Sequence, residues 1–283
     1  MPESAVRNLN AVSRTLLIPL YIRAQENRRP DPIVRDPQAL ELAGRLGLDF
    51  SSVVSSRKEG EWVSMLMRMR EFDRLAREFL ARHPDGTVVD MGCGLDTRFG
   101  RIDNGRMRWV GIDQPEVVGW RKDLLGETPR SRLVGSSLLE FSWMDALRAG
   151  AHESYLFLAE AVLYYLEEAD VRKLVCGIAA RFPGAGLVFD AFAPLVIRTH
   201  PHTPDVPAVH WGLKDDRDLE AWAPGIRLTG RSDYLGQPEP RLGAFRFLRY
   251  VPFMAGMIRI VQYRLGESPA AGRQEETWTQ STR

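Results

Sequence analysis

Thr87-Val88-Val89-Asp90-Met91-Gly92-Cys93-Gly94-Leu95-Asp96-Thr97-Arg98 is the stretch that decides how the rest of this chain is read. It begins as a β-branched run of the kind that forms a buried strand. It then breaks into two glycines separated by one residue, where a backbone must turn tightly or approach a ligand closely. A strand-to-helix turn without a ligand needs the same residues, so the glycines alone leave both readings open. Farther along, Arg108-Trp109-Val110-Gly111-Ile112-Asp113 repeats the design. An apolar strand ending in an acid is where nucleotide-binding α/β folds hold ribose hydroxyls. A dinucleotide fingerprint wants a third glycine where Thr97 stands. Asp90, just before the glycines, would repel a pyrophosphate but suits a cofactor carrying an ammonium and a sulfonium. The residues therefore fit S-adenosylmethionine better than NAD.

Composition narrows the class. The 283 residues carry a formal charge of +1, which gives no reason to expect nucleic acid or an anionic membrane as a partner. Cys93 and Cys176 are the only cysteines, so no disulfide framework or CxxC metal site is present, no metal is expected, and the compartment expected is the reducing cytoplasm. The early apolar run Leu16 to Ile22 is interrupted by Pro19 and too short to span a bilayer. No signal peptide is read.

Along the chain, residues 1–60 read as a helical cap. A helix from Ser13 through Ala24 is followed by a Pro-containing loop to Asp36. Asp36-Pro37 then starts a second helix, an N-cap acid with proline at the first helical position, which Gly47 ends. Residues 61–270 read as the core. Its longest helix, 61–82, carries Met65, Met69, Phe72, Leu75 and Phe79 on one stripe. Ser131 to Ser137, Ser154 to Glu160 and Gly186 to Asp190 continue the strand series, with a helix over Asp170 to Phe182. Strands alternating with helices predict an α/β, doubly wound, mainly parallel seven-stranded Rossmann-like sheet with ligands at the strands' carboxyl ends. An insertion at about 193–224 is rich in Pro, His and Trp. Ile226 to Tyr234 and Arg259 to Gly266 read as an antiparallel edge, with a helix over Phe245 to Ile258 between them. Residues 271–283 read as a fraying tail.

Gly92-Cys93-Gly94-Leu95-Asp96-Thr97-Arg98 and Glu160-Ala161-Val162-Leu163-Tyr164-Tyr165-Leu166 resemble the glycine motif and the EGVLMYL-type motif of the leucine carboxyl methyltransferase-like family. Within it, Ser13 to Tyr21, Phe141 to Asp145 and His210 to Leu213 resemble segments of the tetracenomycin-type polyketide O-methyltransferases. The resemblance implies a class I S-adenosylmethionine-dependent fold and activity. It implies Gly92 and Gly94 beside the cofactor's methionine part, near Asp90. Asp113, with Gln114 beside it, would hold the ribose, Ser137 and Leu138 would flank the adenine, and Glu160 would lie beneath the amino-acid end. One of the arginines on the preceding helix (Arg68, Arg70, Arg74 or Arg77), Arg70 first among them, is expected to take the cofactor carboxylate. Ala161 stands where the motif has glycine, which narrows the space beside Glu160.

The acceptor is expected to be a small, aromatic or polyketide-like hydroxyl compound, the alternatives being a carboxylate, including a protein C-terminus, or cofactor binding without transfer. A second copy of the chain is carried as an open assembly option. A carboxylate acceptor is ionised at neutral pH and needs no base, whereas a phenol of pKa about 10 benefits from one. His210 is the first candidate base and Tyr164 the first candidate at the acceptor; loop packing and core packing are their respective alternatives. Tyr21, His200, His202 and Trp211 complete the acceptor candidates. Asp96 and Arg98 either pair with each other to hold the turn or touch the ligand.

Overall fold

Strand β1 (Thr87–Met91) is buried along its whole length, as a β-branched run between two helical layers must be. The computed structural model describes residues 11–47, 59–148, 154–199, 208–250 and 256–267; His200, His202 and the tail from Ala271 lie outside them. After β1 come β2 (Arg108–Asp113), β3 (Ser131–Gly135), β4 (Tyr155–Ala159), β5 (Ala185–Phe192), β6 (Arg227–Ser232) and β7 (Ile258–Leu265). They form a seven-stranded sheet in the order β3-β2-β1-β4-β5-β7-β6. The first five are parallel. β7 runs antiparallel to both β5 and β6, so the late pair forms the antiparallel edge its alternation predicts.

Side-chain alternation gives the sheet two apolar faces. Val89, Met91, Phe157 and Ala159 face one core, with Val171, Leu174 and Ile178; Val88, Leu156 and Leu158 face the other, with Phe72, Leu75 and Phe79. The helices over these faces include α3 (Glu59–Arg82) and, after β4, α7 (Glu168–Arg181). Between them in sequence lie α4 (Arg98–Ile102), α5 (Pro115–Leu125) and α6 (Ser142–Arg148). No described helix is long and apolar enough to cross a membrane.

The N-terminal helices α1 (Ala11–Glu26) and α2 (Pro37–Arg45) share a cluster of Leu17, Leu20, Ala39 and Leu42 that reaches Leu95, next to the glycine pair. Asp36 caps α2 through the Ala39 N–H at 2.9 Å. Pro37 occupies the first turn, as the sequence predicts.

The helix expected over Phe245–Ile258 is a correction. A 3-10 stretch, Pro240–Tyr250, is kinked at Gly243, where φ is 58°. Ile258 is already a strand residue, paired with Phe192. In the expected insertion, a short helix α8 (Pro194–Thr199) comes first. Farther on Val209, Trp211 and Leu213 are buried while His210 between them is exposed.

Just beyond β4 the chain reverses at Ala161, a non-glycine residue with φ of 59°. Its N–H donates to Asp190 at 2.8 Å, which holds the reversal before a 3-10 turn at Leu163–Tyr165. A left-handed backbone costs an alanine about 1–2 kcal/mol. Ala161→Gly is therefore expected to stabilise the unliganded protein by about 1 kcal/mol, raising Tm by about 2–4 °C in a thermal melt. A lowered Tm would show that the reversal is not strained.

Candidate cofactor site

The carboxyl ends of the parallel strands bring acids together. Asp90 lies on β1, Asp113 ends β2 and Glu160 follows β4. The pairing of Ala159 with Phe189 sets Asp190 of β5 beside Glu160. A cavity of about 160 Å³ opens between these ends and α1. Asp90, Gly92, Gly94, Asp96, Arg98 and Glu160 form its sheet side, while Leu16, Pro19, Met69 and Tyr165 are also in its wall. The glycines are needed for space and conformation together. Gly92 and Gly94 have φ of 70° and 45°. A Cβ on Gly92 would lie 2.4 Å from Val162, and one on Gly94 would lie 2.8 Å from Leu16, both inside van der Waals contact.

Guanidinium groups bind the acids into one network. Arg98, only 1% exposed, pairs with Asp73 at 3.0 Å, Asp90 at 3.0 Å and Asp96 at 3.1 Å, and with Glu160. Arg101 pairs with Asp73, Asp96 and Asp36. Arg68 spans Glu160 at 3.0 Å and Asp190 at 3.1 Å. Burial pushes the Asp90 carboxyl up to about 6, against the pull of Arg98. It lifts Asp190 to about 6 as well, against Arg68. Asp96 is also opposed by burial, but Arg101 and Arg98 outweigh it and hold the acid well below the usual range. The same crevice thus carries acids held firmly ionised and acids that burial leaves near neutrality.

The structure brings Asp90, Gly92, Gly94 and Glu160 to one cavity wall, as their positions at the strand ends predict. Asp113 stands beside the turn and accepts from the Gly94 N–H at 2.8 Å. The exposed Gln114 follows it, and its N–H donates to Asp113 at 2.7 Å. Ser137 and Leu138 lie beyond β3. The Leu138 carbonyl accepts from Trp143 Nε1 at 3.3 Å, and the Leu138 side chain packs on a core cluster. Asp96 and Arg98 do pair with each other, and both also line the cavity.

Other expected residues lie elsewhere. Arg70 donates to Gln237 at 2.9 Å, and Arg68 is the α3 arginine in the cavity wall. Residues two apart on a helix differ by about 200° and cannot share a face. Tyr21 packs with Ile22, Val34, Leu66 and Met69, whereas Leu16, Pro19 and Arg23 of α1 line the cavity. Tyr164 is buried and stacked on Phe192 with ring centroids 4.4 Å apart; burial and Asp190 push its hydroxyl well above its usual range. Trp211 belongs to the core beside Phe189 and Trp222. His210 is 43% exposed and lies 3.0 Å from Glu167. Its buried neighbours Val209 and Trp211 explain this, because an extended chain turns alternate side chains to opposite sides.

Sequence reasoning weighed Arg68 but favoured Arg70, and it missed Arg23 and Arg121. For Arg68 a signal existed: it precedes Phe72 and Leu75 by four and seven residues, which puts it on the apolar stripe of α3. Arg23 and Arg121 reach the glycine turn across long sequence separations, which no local pattern reports.

The family model described as leucine carboxyl methyltransferase matches residues 17–179. The tetracenomycin polyketide synthesis O-methyltransferase TcmP of Streptomyces glaucescens is 33% identical over 235 residues, 81% of this chain and 86% of that protein. The S-adenosyl-L-methionine-dependent methyltransferase dpfgK of Gibberella zeae is 26% identical over 263 residues, 85% of this chain and 88% of that one. Among solved structures, magnesium protoporphyrin IX methyltransferase from Synechocystis PCC 6803 with bound S-adenosylhomocysteine is 13% identical. That likeness covers 81% of this chain and 94% of the other, with a TM-score of 0.49. The family match spans more than half of the chain, and the chain belongs to the leucine carboxyl methyltransferase family of S-adenosylmethionine-dependent enzymes.

Proposed function

We propose that the chain transfers a methyl group to an oxygen of a small, aromatic, polyketide-like acceptor, with a hydroxyl as the first reading, and that it acts in the cytoplasm. The observation that carries this is a cavity lined by charged and apolar side chains together. Acids and arginines gather at the strand ends, and Leu16, Pro19, Met69 and Tyr165 supply a surface suited to a flat ring. The name of the relative TcmP, with its tetracenomycin polyketide, supports the same acceptor class.

When bound, S-adenosylmethionine supplies a methyl group already activated on a sulfonium. Asp90 and Glu160 would hold its cationic end, Arg68 its carboxylate and Asp113 its ribose. The donor set fits a ligand with these charges, since carboxylates outnumber guanidiniums in the paired network. What remains for the protein is to align the acceptor oxygen and exclude water, and alignment alone supplies about 7–11 kcal/mol.

A carboxylate acceptor is the second reading, favoured by one observation. His210 is directed to Glu167 and Tyr164 is stacked on Phe192, so neither presents a base to the cavity. A carboxylate needs none. For a hydroxyl, the groups at hand are the acids at the strand ends, two of them near 6.

Release of S-adenosylhomocysteine over a panel of phenols, polyketide-like aromatics, carboxylic acids and C-terminal peptides separates the readings. Turnover confined to phenols supports the hydroxyl. Turnover confined to carboxylic acids moves the assignment to the second reading, and peptide turnover alone would remove the small-molecule acceptor. His210→Ala is expected to keep turnover of an accepted substrate within about two-fold, because losing a working general base costs about 10²-fold or more.

A pH dependence also follows. The folded pKa of Asp90, about 6, exceeds its ordinary 3.8. Its contribution to stability is therefore full at low pH and is lost as pH rises through about 6. A bound ammonium favours the ionised carboxylate, so binding releases protons in that range. Affinity for S-adenosylhomocysteine should fall as pH drops from about 7 to about 5, read by calorimetry in buffers of different ionisation enthalpy. An affinity that is flat, or stronger in acid, would remove Asp90 from the cationic end.

A further inference from the structure

Arg121 reaches from α5 to the glycine turn. It is buried, its guanidinium lies 4.6 Å from the centre of the Trp109 ring, and Nη1 donates to the carbonyls of Gly94 at 2.8 Å and Cys93 at 3.4 Å. On α1, Arg23 donates to the next carbonyl, Leu95, at 2.9 Å and pairs with Asp36 at 2.9 Å. Three successive carbonyls of the turn are thus held by two buried guanidiniums from different helices.

The consequence lies in one peptide plane. The Cys93 carbonyl and the Gly94 N–H belong to the same peptide unit, and in a trans peptide they point in opposite directions. Arg121 holds the carbonyl end, while the N–H end donates to Asp113 Oδ2 at 2.8 Å. The other Asp113 oxygen accepts from the Gln114 N–H at 2.7 Å. Both carboxylate oxygens are therefore fixed by backbone, and the backbone on the Gly94 side is fixed by Arg121. A guanidinium buried on carbonyls bears a desolvation cost that an apolar side chain would avoid, so its place here calls for a role that apolar packing cannot fill.

We propose that Arg121 is a positioning residue for cofactor recognition. It orients the Cys93–Gly94 peptide so that Asp113 presents its free lone pairs to the ribose hydroxyls. The proposal rests on the family's cofactor and on Asp113 as the acid that takes its ribose. It does not depend on the acceptor.

The test is a double-mutant cycle in binding, needing no turnover. Calorimetry measures S-adenosylhomocysteine and its 2′-deoxy analogue against the wild type, Arg121→Met, Arg121→Lys, Asp113→Ala and the Arg121→Met/Asp113→Ala double variant. Arg121→Met should weaken S-adenosylhomocysteine about ten-fold, the scale of one charge-assisted hydrogen bond, and lose most of the preference for the ribose 2′-hydroxyl. Arg121→Lys should recover part of both. In the Asp113→Ala background, Arg121→Met should cost little. The same loss in both backgrounds, or a full 2′-hydroxyl preference retained in Arg121→Met, overturns the proposal. If Arg121→Met does not melt cooperatively, Arg121→Gln completes the same cycle. A wild type that binds no S-adenosylhomocysteine removes the cofactor reading itself, an outcome distinct from loss of the Arg121 coupling.

Discussion

Arg98 is the buried cation on which the crevice depends. Its guanidinium touches an acid on α3, an acid on β1, an acid in the glycine turn and the acid that follows β4. These acids come from three separate parts of the chain, and among the described residues this side chain alone pairs with all four. Removing one member of such a set leaves the others buried without compensation, which is far more costly than the net worth of the set itself. The network remains unbalanced even when complete. Asp36, Asp73, Asp90, Asp96, Glu160 and Asp190 face Arg23, Arg68, Arg98 and Arg101. Burial lifts Asp90 and Asp190 to about 6, and the neighbouring acid Glu160 adds to the rise in both. On the proposed reading, a ligand with net positive charge would favour the ionised form of these buried acids.

The same network ties the N-terminal helices to the sheet. Asp36 caps α2, pairs with Arg23 of α1 and Arg101 of α4, and accepts from the Thr97 hydroxyl beside the glycine turn. One carboxylate therefore fixes the start of a helix in the cap and the end of the turn it covers. Apolar contacts add area through Leu17, Leu20 and Leu95, but area is tolerant of sliding and a shared carboxylate is not. The register of α1 over the turn, and with it the position of Leu16 and Pro19 in the cavity wall, follows from that charge.

What the sequence conveyed was local. The β-branched run before the glycines, the acid closing β2 and the alternation of β6 and β7 are signals of period or punctuation, and each becomes the element it predicts. Where the reading went astray, the deciding term was an angle or a distant partner. Arg70 and Arg68 are equally good arginines by composition, and only the helical phase set by Phe72 and Leu75 separates them. His210 is the first candidate base because Trp211 follows it; in the structure it is half-exposed and lies beside Glu167. The alternate burial of Val209 and Trp211 turns it to solvent. Of the helix expected over Phe245–Ile258, the described residues form a kinked 3-10 stretch as far as Tyr250, and Ile258 takes a ladder partner on β5 as the first residue of β7.

The division of the cavity has a consequence for specificity. Its charged wall is built from strand ends and from arginines that the fold must bury to hold those ends together, so it can change little without loss of the sheet's geometry. Its apolar lining includes Leu16 and Pro19 on α1, Met69 on α3 and Tyr165 after β4. None of these four is part of the ion-pair network. Substituting Leu16, Pro19 or Met69 alters volume and shape without leaving a buried charge unpaired, and such changes cost far less than breaking a charge network. A protein built this way can therefore keep one cofactor while its acceptor varies. On the proposed reading, the identity of the ring that is methylated is written in α1 and the turn after β4 rather than in the sheet.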